Sequence, residues 1–188
     1  MSFRVCRGVA DGRRSFRRWR RVAVVGVVLF IVFGLVTARL ILWPAQGMPA
    51  RVSAIVVLAG RGDRLDVALQ LAREHRAPVL VVSLGWEGYG GACPSAMPDV
   101  KVICFDPNPG DTRGEAEVVG RLAARYRWSS VGLVTSAGQD TRARIIIGRC
   151  FGGSVYVITA SLPLSQWPYE VVYGWGALIK ALTLERDC

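Results

Sequence analysis

Histidine is almost missing from this chain: His75 is the one imidazole in 188 residues, and it falls in a polar helical stretch. A Ser-His-Asp hydrolase requires that group beside its nucleophile. Ser83 and Ser136 end apolar runs that read as strands, whereas His75 lies near the far end of a helix, so a triad is disfavoured. Cysteine is sparse as well. The five cysteines form no CxxC pair, no histidine-rich spacing accompanies them, and a zinc site is not expected. The chain also lacks internal repeats. Its 52% apolar content excludes disorder and a collagen-like fibre, and suits one domain with a sizeable core.

Acidic residues are nearly absent from the N-terminus. Eight arginines (Arg4, Arg7, Arg13, Arg14, Arg17, Arg18, Arg20 and Arg21) precede residue 22 with only Asp11 to offset them, so residues 1–21 form a basic tail carrying +7 of the net +10. The remaining +3 is not the electrostatic footprint of a duplex-binding domain, and no nucleic-acid partner is expected.

Val22 to Ala38 reads VAVVGVVLFIVFGLVTA, 17 residues without a charge, and Leu40 to Trp43 extend the run past Arg39. A helix rising about 1.5 Å per residue needs roughly 20 residues to cross the hydrocarbon. Residues 22–43 therefore read as a transmembrane signal anchor, with Arg39 snorkelling to the headgroups and Trp43 at the interface. A buried core helix accounts poorly for an apolar surface all round directly after an arginine cluster. Those arginines favour a cytoplasmic N-terminus, which places the rest of the chain outside the plasma membrane. Arg13-Arg14-Ser15-Phe16 loosely resembles a twin-arginine export signal, but no small-x-small cleavage site follows. A retained anchor is expected, with residues 44–53 as a linker and 54–188 as the domain.

Cysteine placement agrees with an oxidising compartment. Cys6 falls in the tail, while Cys93, Cys104, Cys150 and Cys188 all lie beyond the helix, an even number that permits disulfides. Cys93 and Cys104 flank a segment containing Pro94, Pro98 and Asp99, which suits a loop folding back onto a strand. That pair is the expected bridge, against the alternative of small buried hydrophobes.

Beyond the linker, short apolar runs alternate with longer amphipathic ones. Strands are expected at 54–59, 79–83, 101–105, 131–135 and 155–158, and helices at 64–76, 112–126 and 141–150. A last helix over 169–184 is expected to pack Val172, Trp175, Leu178, Ile179 and Leu182 on the sheet. The alternation implies βαβ units and hence an α/β, Rossmann-like parallel sheet of about five strands with flanking helices, preceded by one N-terminal transmembrane helix.

Ligands of open parallel sheets collect beyond the carboxyl ends of the strands. There Gly60-Arg61-Gly62-Asp63-Arg64 puts two glycines in a turn and Arg64 at a helix start, an incomplete phosphate loop because Leu65 stands where a third glycine belongs. Ser83 and Gly85 follow the second strand. Thr112-Arg113-Gly114-Glu115 matches a capping box, in which hydroxyl and carboxylate satisfy orphan N–H groups. Thr135, Ser136 and Gln139, with Arg142 one turn on, can hold a phosphate or carboxylate through hydroxyls and a guanidinium fork, or simply cap a helix. Asp63, Asp106, Glu115 and Asp140 offer carboxylates for Mg²⁺ around a pyrophosphate or for general-base work, Glu115 and Asp140 being the catalytic candidates. No motif names a cofactor.

Taken in order, Ile55 to Gly60 (IVVLAG), Arg64-Leu65 with Ala68 and Leu69, Ala77 to Gly85 (APVLVVSLG), Thr112 to Ala116 (TRGEA) and Val131 to Ala143 (VGLVTSAGQDTRA) resemble the YdcF/ElyC/SanA-like family of bacterial membrane-associated proteins. The resemblance implies a Rossmann-like domain behind a transmembrane helix and a role in cell-envelope (peptidoglycan) biogenesis or barrier maintenance. Two departures stand out: Gln139 replaces the family's histidine, and its Thr-x-Glu-Asn-Ala pattern reads Thr112-Arg113-Gly114-Glu115-Ala116. Without the imidazole, either Glu115 or Asp140 transfers protons or the protein binds without turnover. The expectation is an anchored extracytoplasmic protein binding or processing a phosphorylated or anionic, lipid-linked envelope precursor. The alternatives are a non-catalytic scaffolding module and a cytoplasm-facing enzyme using a nucleotide or S-adenosylmethionine.

Overall fold

The computed structural model describes residues 9–85 and 93–188, with side-chain surroundings from residue 16 onward. Arg4, Cys6, Arg7 and residues 86–92 of the glycine-rich loop lie outside the described residues. Two units result, Met1–Ala38 and Arg39–Cys188.

The described part of the first unit forms one helix, α1 (Val9–Thr37), and a π-helical turn at Ala38–Leu42 follows it. Phe16–Leu42 is long and apolar enough to cross a membrane, and its most apolar 18-residue stretch has a mean hydropathy of 2.6. Most of its apolar side chains are exposed, Phe30 to 78%, which sets it apart from the core helix of a soluble domain.

Among the described residues the second unit holds five strands, β1 (Ala54–Val57), β2 (Val79–Ser83), β3 (Lys101–Phe105), β4 (Ser130–Ser136) and β5 (Ser154–Ala160). They form one fully parallel sheet in the order β3-β2-β1-β4-β5. This is a doubly wound, Rossmann-like sheet, and the α/β expectation holds. Helices α2 (Arg64–Arg73), α3 (Thr112–Tyr126), α4 (Ala137–Cys150) and α5 (Trp167–Thr183) flank it. The winding reverses between β1 and β4, where Val56 lies opposite Leu133.

Alternate residues of the central strands feed two cores, because successive strand side chains point to opposite faces. Val56, Leu58, Val81 and Leu133 pack with Val119 of α3 and Ile146 and Ile147 of α4. Ile55, Val57, Leu80, Val82 and Val134 face Ala68 and Ala72 of α2 on the other side. Each large aliphatic buried this way contributes about 1.5–3 kcal/mol. β1 is covered on both faces and so carries no polar residue.

Three local expectations change. α4 starts at Ala137 rather than Thr141, directly off β4 with Ser136 as its N-cap, so the anticipated loop after β4 is the first turn of a helix. α5 buries Leu178 of the expected stripe, but together with Glu170, Gly174 and Ala181, and leaves Val172, Ile179 and Leu182 at least half exposed. Small residues win the inner face because α5 packs closely on α4: a Cβ on Gly174 would stand 3.0 Å from the Gly138 carbonyl oxygen. The segment 44–53 is hydrogen-bonded to the domain, with Gly47 N donating to Val157 O and Arg76 donating to the carbonyls of Pro49 and Ala50.

Two disulfides close the second unit. Cys93 pairs with Cys104 on β3, and Cys150 at the end of α4 pairs with Cys188.

Candidate functional site

The carboxyl ends of the strands open into a crevice of about 330 Å³ lined by Ala59, Gly60, Arg61, Gly85, Pro107, Gly110, Asp111, Thr112, Glu115, Gln139, Arg142, Tyr169, Glu170 and Tyr173. It sits beside the β1/β4 reversal, where the loops after adjacent strands diverge to opposite faces and leave a gap. A second hollow, sharing Asp111, Thr112, Arg142 and Tyr173, continues it along α5 toward Lys180.

Glu115 forms part of the wall. It is 3% exposed, and its Oε1 accepts a 2.7 Å hydrogen bond from the Ala59 backbone N–H at the end of β1. Burial pushes its carboxyl above the usual glutamate range; the Ala59 N–H, Ser83 and the guanidinium groups of Arg64 and Arg142 pull it back without cancelling that rise. Ser83 is buried too, yet its hydroxyl finds no partner at hydrogen-bonding geometry among the described residues. The capping box is therefore not formed. Asp111 caps α3 through Oδ1, accepting from the N–H groups of Arg113 and Gly114, and this releases Glu115 to reach across to β1.

Arg64 lies behind the wall at 2% exposure. Its guanidinium donates to the carbonyls of Leu58, Ala59 and Arg61, to Ser136 Oγ and to Gln139 Oε1, at 2.6–3.3 Å. Desolvation lowers its pKa to about 10, so it stays charged at neutral pH between Glu115 and Glu170. Gly60, at φ +141°, exists to admit it: a Cβ there would stand 2.5 Å from the guanidinium nitrogens. With five acceptors engaged, Arg64 shapes the crevice instead of offering donors to a ligand.

Ser136 and Thr135 are fully buried behind the crevice. Ser136 Oγ donates to Glu170 Oε2 at 3.2 Å, and Thr135 Oγ1 donates to Gln139 Oε1 at 3.3 Å. Gly62 faces Ser161 and Leu162 rather than the crevice. Asp140 points elsewhere: it is buried and ion-paired with Arg144 at 2.5 Å, and Arg144 also holds the Ala45 carbonyl. Its carboxyl is raised by desolvation and drawn back by Arg144. An i,i+4 partner on α4 thus claims the second carboxylate that the sequence offers for catalysis.

Arg142 remains as the cation of the mouth. It stacks over the Tyr173 ring at 5.6 Å, and its Nε has no hydrogen-bond partner among the described residues. Arg61 stacks over Tyr169 at 5.3 Å. The α4 N-terminus has no side-chain cap, so its orphan N–H groups add positive potential where β4 ends. Gly60, Gly85, Thr112, Glu115, Gln139 and Arg142 thus share one crevice, while Arg64, Ser83, Thr135 and Ser136 support it. Sequence reasoning passes over Arg61, Asp111, Tyr169, Glu170 and Tyr173. An aspartate directly before a helix is a cap signal for Asp111, and a lone carboxylate in the apolar start of α5 marks Glu170.

Neither a scan against protein-family models nor a search of curated proteins finds a match. Among solved structures, glycinamide ribonucleotide transformylase 1 from Symbiobacterium toebii aligns at 15% identity and a TM-score of 0.32, over 62% of this chain and 54% of that one. So distant a likeness carries no functional argument.

Proposed function

We propose that the chain is a membrane-anchored protein of cell-envelope biogenesis, with an extracytoplasmic domain that takes a phosphorylated, lipid-linked precursor in the crevice and transfers a proton at Glu115. The observation that carries this is the pairing, in one crevice, of Arg142, whose Nε is buried without a partner among the described residues, with Glu115, a wall carboxylate whose pKa is raised by burial. A guanidinium fork and an uncapped helix terminus suit a phosphate, and a carboxyl shifted toward neutrality suits general acid–base work. The arginine-rich tail favours retention of the N-terminus in the cytoplasm, and two disulfides in the domain support an oxidising surrounding.

A second reading, binding without turnover, draws on Gln139. It stands where the resembled family has an imidazole, and its Oε1 only accepts, from Arg64 and Thr135.

Thermal unfolding of the full chain in detergent, with polyprenyl phosphates, sugar phosphates, nucleotides and S-adenosylmethionine, tests both. A phosphorylated polyprenyl ligand at about 100 times its Kd stabilises by about 2.7 kcal/mol, a Tm rise of about 5–10 °C that Arg142→Ala abolishes. Stabilisation by nucleotides or S-adenosylmethionine alone overturns the proposal. Product formation lost in Glu115→Gln with binding kept assigns catalysis; binding with no product from the wild-type chain assigns the second reading. A reporter fused after Cys188 that works only in the cytoplasm overturns the orientation.

A further inference from the structure

The last residues of the membrane-crossing stretch are built into the domain. Ile41 is 2% exposed and packs against Gly174 of α5, and Thr141 Oγ1 of α4 donates to the Leu40 carbonyl at 2.5 Å. Trp43, the first residue past Leu42, is 69% exposed with its ring 6.5 Å from that of Trp167, which opens α5. Covalent continuity therefore places α5 beside the point where the chain leaves the apolar span.

α5 is apolar on its outer side. At 100° per residue its buried positions 170, 174, 178 and 181 occupy one arc, and Tyr169, Val172, Ile179 and Leu182, exposed to 50–76%, fall in a separate arc of about 140°. No charge interrupts that outer arc: Glu170 turns inward to Ser136, and Lys180 is tied to Glu185 and Asp111. A contiguous apolar helix face of this kind, exposed to water, marks an interaction surface. Aromatic residues at its start, and packing against Ile41 at the end of an apolar span, match a helix lying in a bilayer interface.

We infer that the outer face of α5 rests on the lipid surface and turns the crevice mouth toward the bilayer. Tyr169 and Tyr173, stacked at 5.6 Å, then form the wall between lipid and crevice. A ligand can keep its hydrocarbon tail in the bilayer while its phosphate reaches Arg142. The inference rests on the anchoring part of the proposed function and is independent of its orientation and chemistry.

The test is photocrosslinking of the full chain in phosphatidylethanolamine/phosphatidylglycerol vesicles, with a diazirine amino acid placed singly at Phe30, Val172, Ile179 or Ala124. Ala124 is an exposed position on α3. Lipid adducts are expected at 30, 172 and 179 and none at 124. Adducts at 30 with none at 172 and 179 overturn the inference and leave the anchor standing. Crosslinks from 172 or 179 to a second copy of the chain, or equal lipid labelling at 124, also overturn it. Loss of adducts at 30 as well removes the anchor and with it both readings.

Discussion

Replacing Arg64 with alanine separates a supporting guanidinium from a ligand-binding one. In the wild-type chain five acceptors converge on this side chain, and its bonds to Leu58 O (3.2 Å) and Ser136 Oγ (3.1 Å) are buried. A buried acceptor left unmet costs about 1–3 kcal/mol. Glu115 and Glu170, at 3% and 6% exposure, lose the cation between them. An uncompensated buried charge costs about 3–5 kcal/mol, and water entering the vacated space, with protonation of Glu115, relieves part of the sum. We expect a net loss of about 3–5 kcal/mol, a Tm lower by about 6–20 °C for a chain of this size. Guanidinium chloride unfolding of the full chain in micelles, followed by tryptophan fluorescence, should show a lower midpoint at unchanged slope. Arg64→Lys should recover little, because an ammonium cannot span acceptors that diverge this widely. A loss below about 1 kcal/mol at unchanged slope, with ligand binding abolished, refutes the supporting role and makes Arg64 a ligand contact after all.

Two further outcomes follow from named atoms. Because burial raises the folded-state pKa of Glu115 above the ordinary 4.5, the folded chain binds the extra proton more tightly than the unfolded one; stability falls as pH rises from about 4.5 toward that higher pKa. Glu115→Gln should flatten this segment of a Tm-against-pH curve, and an unchanged slope would contradict the assignment. Gly114→Ala should destabilise by about 1–3 kcal/mol although alanine favours helix by about 1 kcal/mol, since its Cβ would overlap the Pro109 carbonyl oxygen; thermal unfolding showing a gain would remove that contact from the structure.

Much of the fold was legible because it is written in local periodicity. The buried run Ala54–Val57 and the stripe Ala116, Val119 and Ala123 announce a covered strand and an amphipathic helix without reference to the rest of the chain. The site was legible only as a set of loop positions. Thr112 and Glu115 have capping-box spacing, but the box is a local motif and Asp111 caps the helix instead through the N–H groups of Arg113 and Gly114, while Glu115 finds the Ala59 N–H, 56 residues away. Asp140 looked as available as Glu115 until Arg144 claimed it. On α5 amphipathic periodicity places Leu178 on the core but assigns further bulk there, where close contact with α4 demands small residues such as Gly174 and Ala181.

By itself the sequence determined which segments become strands and helices, that the strands run parallel, and that an arginine-flanked apolar helix precedes them. These depend on side-chain type repeated at the period of each element, and each segment carries that information alone. Tertiary structure decided which polar groups keep a free face. A carboxylate, hydroxyl or guanidinium is spent or available according to the nearest oppositely disposed atom, and in this fold that atom comes from a different strand or helix for Glu115, Ser136 and Arg64.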